Sequence, residues 1–380
     1  MIDFLSLKLK SFALDISDFS LKAVKLKRKR NHLKLASWGE VVIKPGIIEE
    51  GQIKDQDAFV RSVREIAGRP KGERLKTNNV VASLPERKAF LAIIQMPKMN
   101  KEELRTAVPF EAENHIPISA DEAYMDFQII NPLHDSLDHF DVLVAASPKE
   151  IVDSYLFCLK KAGLNVLALE IESLAICRAL IRKDISPFPV LVVDFGGSST
   201  SFVIFSGRSV RFTSSSIISS RYLDQTISRS LNISLEEAEK LKLKYGFQAI
   251  ADEKNDRAVP GQNAEEFSRK DISDAMIPVL ADLAGQIKKY LLYYQGHASH
   301  EHLLTENKGV QKIILCGSGA NLKGLANLLS LSLKVPVELG NPWVNILPES
   351  LKKLPNLSFE ESLGYTTALG LALRKINLEI

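Results

Sequence analysis

One stretch combines residue types suited to gripping a phosphorylated ligand: Val193-Asp194-Phe195-Gly196-Gly197-Ser198-Ser199-Thr200. Paired glycines let the backbone approach a ligand closely and adopt conformations closed to other residues. Successive turn N–H groups, helped by the Ser198 and Thr200 hydroxyls, can cradle a phosphate. Asp194, ending an apolar strand, is suited to holding a hydrated Mg2+. The plainer reading is a tight hairpin that needs Gly-Gly. Asp194-Phe195-Gly196 also spells the D-F-G of protein kinases, but no H-R-D loop and no Gly-rich loop followed by V-A-I-K precedes it.

Two further turns share this grammar. Asp15-Ile16-Ser17-Asp18-Phe19-Ser20-Leu21-Lys22 is again strand, Asp, small turn, strand, with Lys22 suited to a phosphate. Ile313 to Cys316 runs into Gly317-Ser318-Gly319-Ala320-Asn321 and then a helix. Such a small-residue turn lets a base or phosphate lie on the backbone. It is not the dinucleotide G-x-G-x-x-G, since only Gly317 and Gly319 fit. Alone, each is equally an ordinary hairpin or strand-to-helix turn.

The elements that must position these turns are legible from periodicity. Residues 12–43 alternate as consecutive strands. Helices are expected over 55–67, 101–115, 148–161, 172–181, 220–231, 234–245, 272–294 and 362–375, with a polar loop at 250–271. Asn100 and Glu103 form a capping box, and Pro109 kinks its helix. The openings A-L-D-I-S-D-F-S-L-K-A-V-K-L and V-V-D-F-G-G-S-S-T-S-F-V-I-F form a weak internal repeat, read as two pseudo-symmetric halves.

Composition bounds the function. The chain has 380 residues, 45% hydrophobic and 25% charged, as a globular protein of two or three domains would. A net charge of +3 lacks the basic surplus of a dedicated nucleic-acid binder. Cys158, Cys177 and Cys316 form no C-x-x-C and are expected as buried thiols in a reducing compartment. Neither a signal peptide nor a run of about 18 apolar residues is visible, so a cytoplasmic protein is expected. The run Lys22, Lys25, Lys27, Arg28, Lys29, Arg30 suits either an anionic lipid surface or a solvated hairpin tip. The H-A-S-H-E-H segment at His297, His300 and His302 reads as a polar loop rather than a metal site.

The three turns, in this order, resemble those of the actin-like ATPase superfamily. Within it the chain resembles the PilM family, related to the division protein FtsA. Phe110-Glu111-Ala112-Glu113-Asn114-His115-Ile116-Pro117 looks like that family's E-A-E-x-x-I-P segment. Val81 to Pro85, Ile93 to Pro97, Asp141 to Pro148, Glu338 to Trp343 and Ala368 to Ala372 also fit. The resemblance covers nearly the whole chain. It implies an α/β actin-like fold, with two halves (1–185 and 186–380) around one nucleotide cleft. An FtsA/PilM-type subdomain would occupy about 86–165, a helical subdomain about 220–305, and the last helix, about 362–376, would pack back on the first half.

The ligands implied are ATP and Mg2+. Asp15 and Asp194 would hold the metal through water. Ser17, Ser20, Lys22, Gly196, Gly197, Ser198 and Thr200 would serve the phosphates, and Gly317, Ser318, Gly319 and Asn321 the nucleoside. Ala238-Glu239-Lys240-Leu241-Lys242 looks like the family's A-E-x-x-K, which puts Glu239 and Lys242 at the ribose and base. Glu172 lies where the superfamily orients an attacking water. Gly is usual at Ser17, small residues at Asp18 and Phe19, and Gly at Ser318, so a slow ATPase at most is expected. The partners implied are the N-terminal cytoplasmic tail of PilN and other proteins of the pilus inner-membrane platform, with self-association a further expectation. The place implied is the inner face of the cytoplasmic membrane, held there through partners. Two other classes compete with this reading. A filament-forming FtsA-like protein would carry a C-terminal amphipathic helix, and none follows residue 376. A sugar kinase would need a sugar pocket and catalytic Asp.

Overall fold

A computed structural model describes residues 10–29, 32–133, 138–247, 259–260, 266–297, 309–348 and 356–377. The first half is built on β1 (Phe12–Ile16), β2 (Ser20–Lys29), β3 (His32–Val42), α1 (Gln56–Gly68), β4 (Lys71–Gly72) and β5 (Asn79–Leu84). A small antiparallel unit follows, with β6 (Phe90–Pro97), α2 (Lys101–Ala112), β7 (Ala123–Ile130) and β8 (His139–Pro148). Then come α3 (Lys149–Lys161), β9 (Asn165–Ile171) and α4 (Glu172–Leu180). The second half comprises β10 (Ser186–Phe195), β11 (Thr200–Gly207), β12 (Ser209–Ser216), α5 (Ser220–Leu231), α6 (Leu235–Tyr245) and α7 (Arg269–His297). It closes with β13 (Lys312–Cys316), α8 (Leu325–Leu333), β14 (Val337–Leu339), α9 (Phe359–Leu363) and α10 (Thr366–Asn377).

The first sheet runs β9-β5-β1-β2-β3-β4 and the second β14-β13-β10-β11-β12. Apart from the short β4 edge, the two orders are the same. In each, a central strand pairs parallel to one neighbour and antiparallel to the next. The repeated opening motif therefore has a topological counterpart. Asp15 and Asp194 end the two equivalent central strands, β1 and β10. Such a strand is covered on both faces, which is why β1 is buried throughout and β10 from Pro189 to Val193, apolar but for the aspartate near each end.

Separate cores hold the layers. Phe12, Leu14, Phe59, Val63 and Tyr155 form part of the first. Phe195, Phe202, Leu283, Leu315 and Leu325 belong to the second. Ile94, Leu104, Val142 and Val144 belong to a separate core inside the small unit. Each fully buried Leu, Ile or Phe contributes about 2 kcal/mol. α3, grouped on sequence with the small unit, instead puts Ile151, Tyr155 and Leu159 into the first core.

α2 starts in the expected capping box, with Glu103 N–H donating to Asn100 Oδ1 at 2.9 Å. It ends at Ala112 rather than His115. α7 begins at Arg269, earlier than expected. The single terminal helix expected over 362–375 is two, broken at Gly364 and Tyr365. α10 lies across the first half, where Leu371 packs on Ala13, Val81 and Ala175. Gly370 makes that crossing so close that a Cβ there would sit 1.8 Å from the Ala175 carbonyl oxygen. His300 and His302, residues 1–9 and most of the 250–271 loop lie outside the described residues.

Candidate functional site

The first turn is wired by its own side chains. Ser17 N–H donates to the Ser20 carbonyl at 3.0 Å, and Ser20 N–H donates to Ser17 Oγ at 3.2 Å. Lys22 Nζ reaches back to Ser20 Oγ at 3.1 Å. Asp18 turns away from this group, accepting a bond from Gly51 N–H at 2.9 Å. The repulsion that an acid beside a phosphate would cause is thereby avoided. Phe19 points across the cleft, and the Arg221 guanidinium of the second half stacks 4.6 Å from its ring.

The second turn is pinned from behind. Gly196 and Gly197 carbonyls accept from Ser220 N–H at 2.9 Å and Arg221 N–H at 3.3 Å, at the start of α5. In a trans peptide, one residue's carbonyl and the next residue's N–H point opposite ways. The amides of Gly197 and Ser198 therefore face away from α5. Ser198 and Ser199 stay partly accessible, whereas Thr200 is fully buried and its hydroxyl donates to the Ile218 carbonyl at 2.6 Å. Thr200 shapes the turn and is not brought to the cleft.

The third turn is folded against the second. Gly317 has φ +87°, and a Cβ there would sit 2.3 Å from Asp194 Oδ1. Only glycine lets β13 pass the aspartate this closely. Ser318 is exposed, with its hydroxyl 3.9 Å from where a Gly197 Cβ would be. Gly319 is buried against the Phe195 ring. Asn321 Nδ2 donates to the Glu360 carbonyl at 2.7 Å, which ties the turn to α9.

Lys242 is only 3% exposed, pairs with Asp224 at 2.7 Å and donates to the Ser220 hydroxyl at 2.7 Å. It braces the start of α5, and so the second turn, from below. Its neighbour Glu239 is exposed. The two do not present a shared face to the cleft.

The electrostatics single out four carboxylates. Burial pushes Asp15 above its usual range, against the pull of Lys22 and a 3.3 Å bond from Ser83 Oγ. Asp194 is pushed up to about 6, by burial first and then by the Asp15 charge, again against Lys22. Burial pushes Glu172 well above the ordinary range, and the Asp15, Asp194 and Glu86 charges add to it. Glu86, 5% exposed, is raised by burial too. Glu86 and Glu172 exchange backbone bonds: Glu86 N–H donates to Glu172 Oε2 at 3.3 Å, and Ser173 N–H to Glu86 Oε2 at 3.1 Å. Glu86 is not singled out by the sequence, where a lone acid after a strand and Pro85 has no visible partner.

Like charges so arranged, with Lys22 as the cation that moderates both aspartates, suit a divalent ion. Among the described residues no group of three or more His, Cys, Asp and Glu is close enough to enclose a metal. Two carboxylates fit Mg2+, which keeps most of its water and shares its remaining sites with phosphate oxygens. The backbone cradle of the second turn fits those phosphates. The three cysteines are free and buried, and Cys316 sits against Asp194. The Glu111–His115 pair, 3.3 Å apart, is exposed on the small unit, far along the chain from these groups. No helix among the described residues is long and apolar enough to cross a membrane.

The family profile described as "Type IV pilus assembly protein PilM" matches residues 13–376. A solved "PilM-PilN type IV pilus biogenesis complex" is similar over 97% of this chain and 99% of that one, at 27% identity and TM-score 0.75. FtsA of Enterococcus faecalis is 26% identical over 210 residues, covering 53% of this chain and 44% of its own. The chain thus spans about half the length of the curated relatives it matches. MreB5 of Spiroplasma citri bound to ADP shares the fold at TM-score 0.56 and 13% identity, over 97% of this chain and 98% of that one.

Proposed function

The chain belongs to the PilM family of type IV pilus assembly proteins, and we propose that within pilus assembly it is a nucleotide-gated adaptor. Its ligand is ATP with Mg2+. Its partner is the short cytoplasmic tail of PilN, captured as a peptide at the inner face of the membrane. The observation that carries the nucleotide reading is the meeting of Asp15, Asp194 and Lys22 from two topologically equivalent hairpins.

Asp15 and Asp194 hold the hydrated metal. Ser17, Ser20, Lys22 and the Gly196-Gly197-Ser198 backbone receive the phosphates. Gly317, Ser318 and Gly319 form the floor under the nucleoside, and Glu239 lies at its rim. Thr200, Asn321 and Lys242 support these groups from behind. Bound Mg2+ supplies positive charge that offsets the carboxylates and the phosphates. Glu172 is the group that would orient water, but burial and the neighbouring Asp15, Asp194 and Glu86 charges disfavour the ionised form that a base needs. Hydrolysis is therefore slow and the protein acts chiefly through the state of its cleft. Nucleotide that favours the closed cleft shifts peptide affinity only by its preference for that state.

Calorimetry on wild type and Asp194→Ala, each with and without a PilN N-terminal peptide, tests this. Binding of both ligands, with ATP–Mg2+ affinity lost in the variant, is expected. Peptide binding with no ATP binding in wild type would make the chain a scaffold with a degenerate cleft.

A further inference from the structure

The stack of Arg221 on Phe19 joins the two halves at the tips of the first two turns. Arg221 is the second residue of α5, and its N–H is spent on the Gly197 carbonyl at 3.3 Å. That bond sets its backbone behind the second turn, so its side chain comes round the turn to reach Phe19 in the first. The guanidinium, half-buried like the ring, stands between the two turns. Its charge is unanswered. Among the described residues Arg221 makes no ion pair. Asp224, three residues on, is held by Lys242 at 2.7 Å, and Asp18, beside Phe19, is turned to Gly51 N–H. Lys22 is already shared among Ser20 Oγ at 3.1 Å, Glu40 at 3.5 Å and the two aspartates. A guanidinium stacked on a ring uses its flat face and keeps its N–H fork, which lies in the plane, free for a bidentate acceptor. A phosphate matches that fork, and the backbone cradle beside it is suited to phosphate.

On the basis of the nucleotide reading above, we propose that Arg221 is a further phosphate ligand, one that tells a triphosphate from a diphosphate. The third turn, the floor of the nucleoside, flanks Gly197 and Asp194 in the second half. The last phosphate is the one farthest from that floor, and so the one carried toward the first turn, where the guanidinium stands. A diphosphate stops short of it. Arg221 supplies the cation that offsets the added phosphate between two aspartates, and Phe19 keeps it aimed across the cleft before the ligand arrives.

Calorimetry with ATP–Mg2+ and with ADP–Mg2+, on wild type, Arg221→Gln and Phe19→Leu, tests this. Wild type is expected to hold the triphosphate tighter by about fivefold or more. Arg221→Gln is expected to lose that margin by weakening ATP–Mg2+ alone, with its melting curve little changed. Phe19→Leu removes the stack and keeps the fork, so it is expected to keep the margin. A loss in Arg221→Gln that is equal for both nucleotides makes the residue a strut between the halves and overturns the proposal. So does a Phe19→Leu variant that loses the margin as fully as Arg221→Gln, or a wild type with no margin. Those results leave ATP binding itself intact. A wild type that binds neither nucleotide instead refutes the nucleotide reading, and this proposal with it.

Discussion

Asp194→Asn should make the empty protein more stable at neutral pH while abolishing its response to nucleotide. Asp194 moves from an ordinary 3.8 to about 6 in the fold. The folded protein then holds that proton more tightly than the unfolded chain, so stability falls as pH rises from about 4 to about 6 and stays low above it. Two units at 1.36 kcal/mol each give about 3 kcal/mol, and solvent at the cleft mouth reduces this to about 2. Unfolding entropy near 2.1 cal/mol/K per residue gives about 0.8 kcal/mol/K for a chain this long. The variant should therefore melt about 2–3 °C higher at pH 7.5, and its advantage should shrink to about a third at pH 4.5. Asparagine keeps the shape and still accepts a bond from Cys316, so the charge alone is changed. In the same scans, ATP–Mg2+ at a hundred times its Kd should raise the wild-type midpoint by about 3 °C and the variant's not at all. A variant that melts lower at pH 7.5, or keeps its nucleotide shift, would refute the reasoning.

Other substitutions probe the framework. Gly370→Ala forces a methyl onto the Ala175 carbonyl at a contact no rotamer relieves, so a loss of about 1–3 kcal/mol is expected in urea unfolding. Lys242→Met strands Asp224 without its cation and should cost about 3–5 kcal/mol. ATP affinity should fall with it through the loosened second turn, and hydrogen exchange at the start of α5 should rise. Arg221→Ala removes a stack worth about 0.5–1 kcal/mol. It should weaken ATP–Mg2+ binding severalfold by calorimetry with little change in melting temperature.

The three turns were legible because glycine, aspartate and small polar residues next to apolar strands have few other uses. The two-half topology was legible because the strand-Asp-turn-strand grammar occurs twice. What each hydroxyl or cation does was not. Thr200 and Ser198 look alike in sequence, yet one hydroxyl is spent on the Ile218 carbonyl and the other lies at an accessible turn. Lys242 could not be told from a surface lysine, because its partner Asp224 sits on a different helix. Periodicity also could not assign α3 to a core, since its apolar face would fit either neighbour. Glu86 was missed because a lone buried acid has meaning only beside Glu172, which lies 86 residues further along.

Strand β12 is hydrogen-bonded into the second half, yet it also grips the small unit. Arg211 sits at a bulge in the β11–β12 ladder and reaches Asp141 on β8 at 3.7 Å. Thr213, two residues on, bonds the Glu86 carboxylate. Two attachments about 7 Å apart along one strand tie β8 and the Glu86 turn to the second half. A displacement of the small unit is thus passed to Glu86, whose carboxylate accepts from Ser173 N–H, at the second residue of α4, beside Glu172.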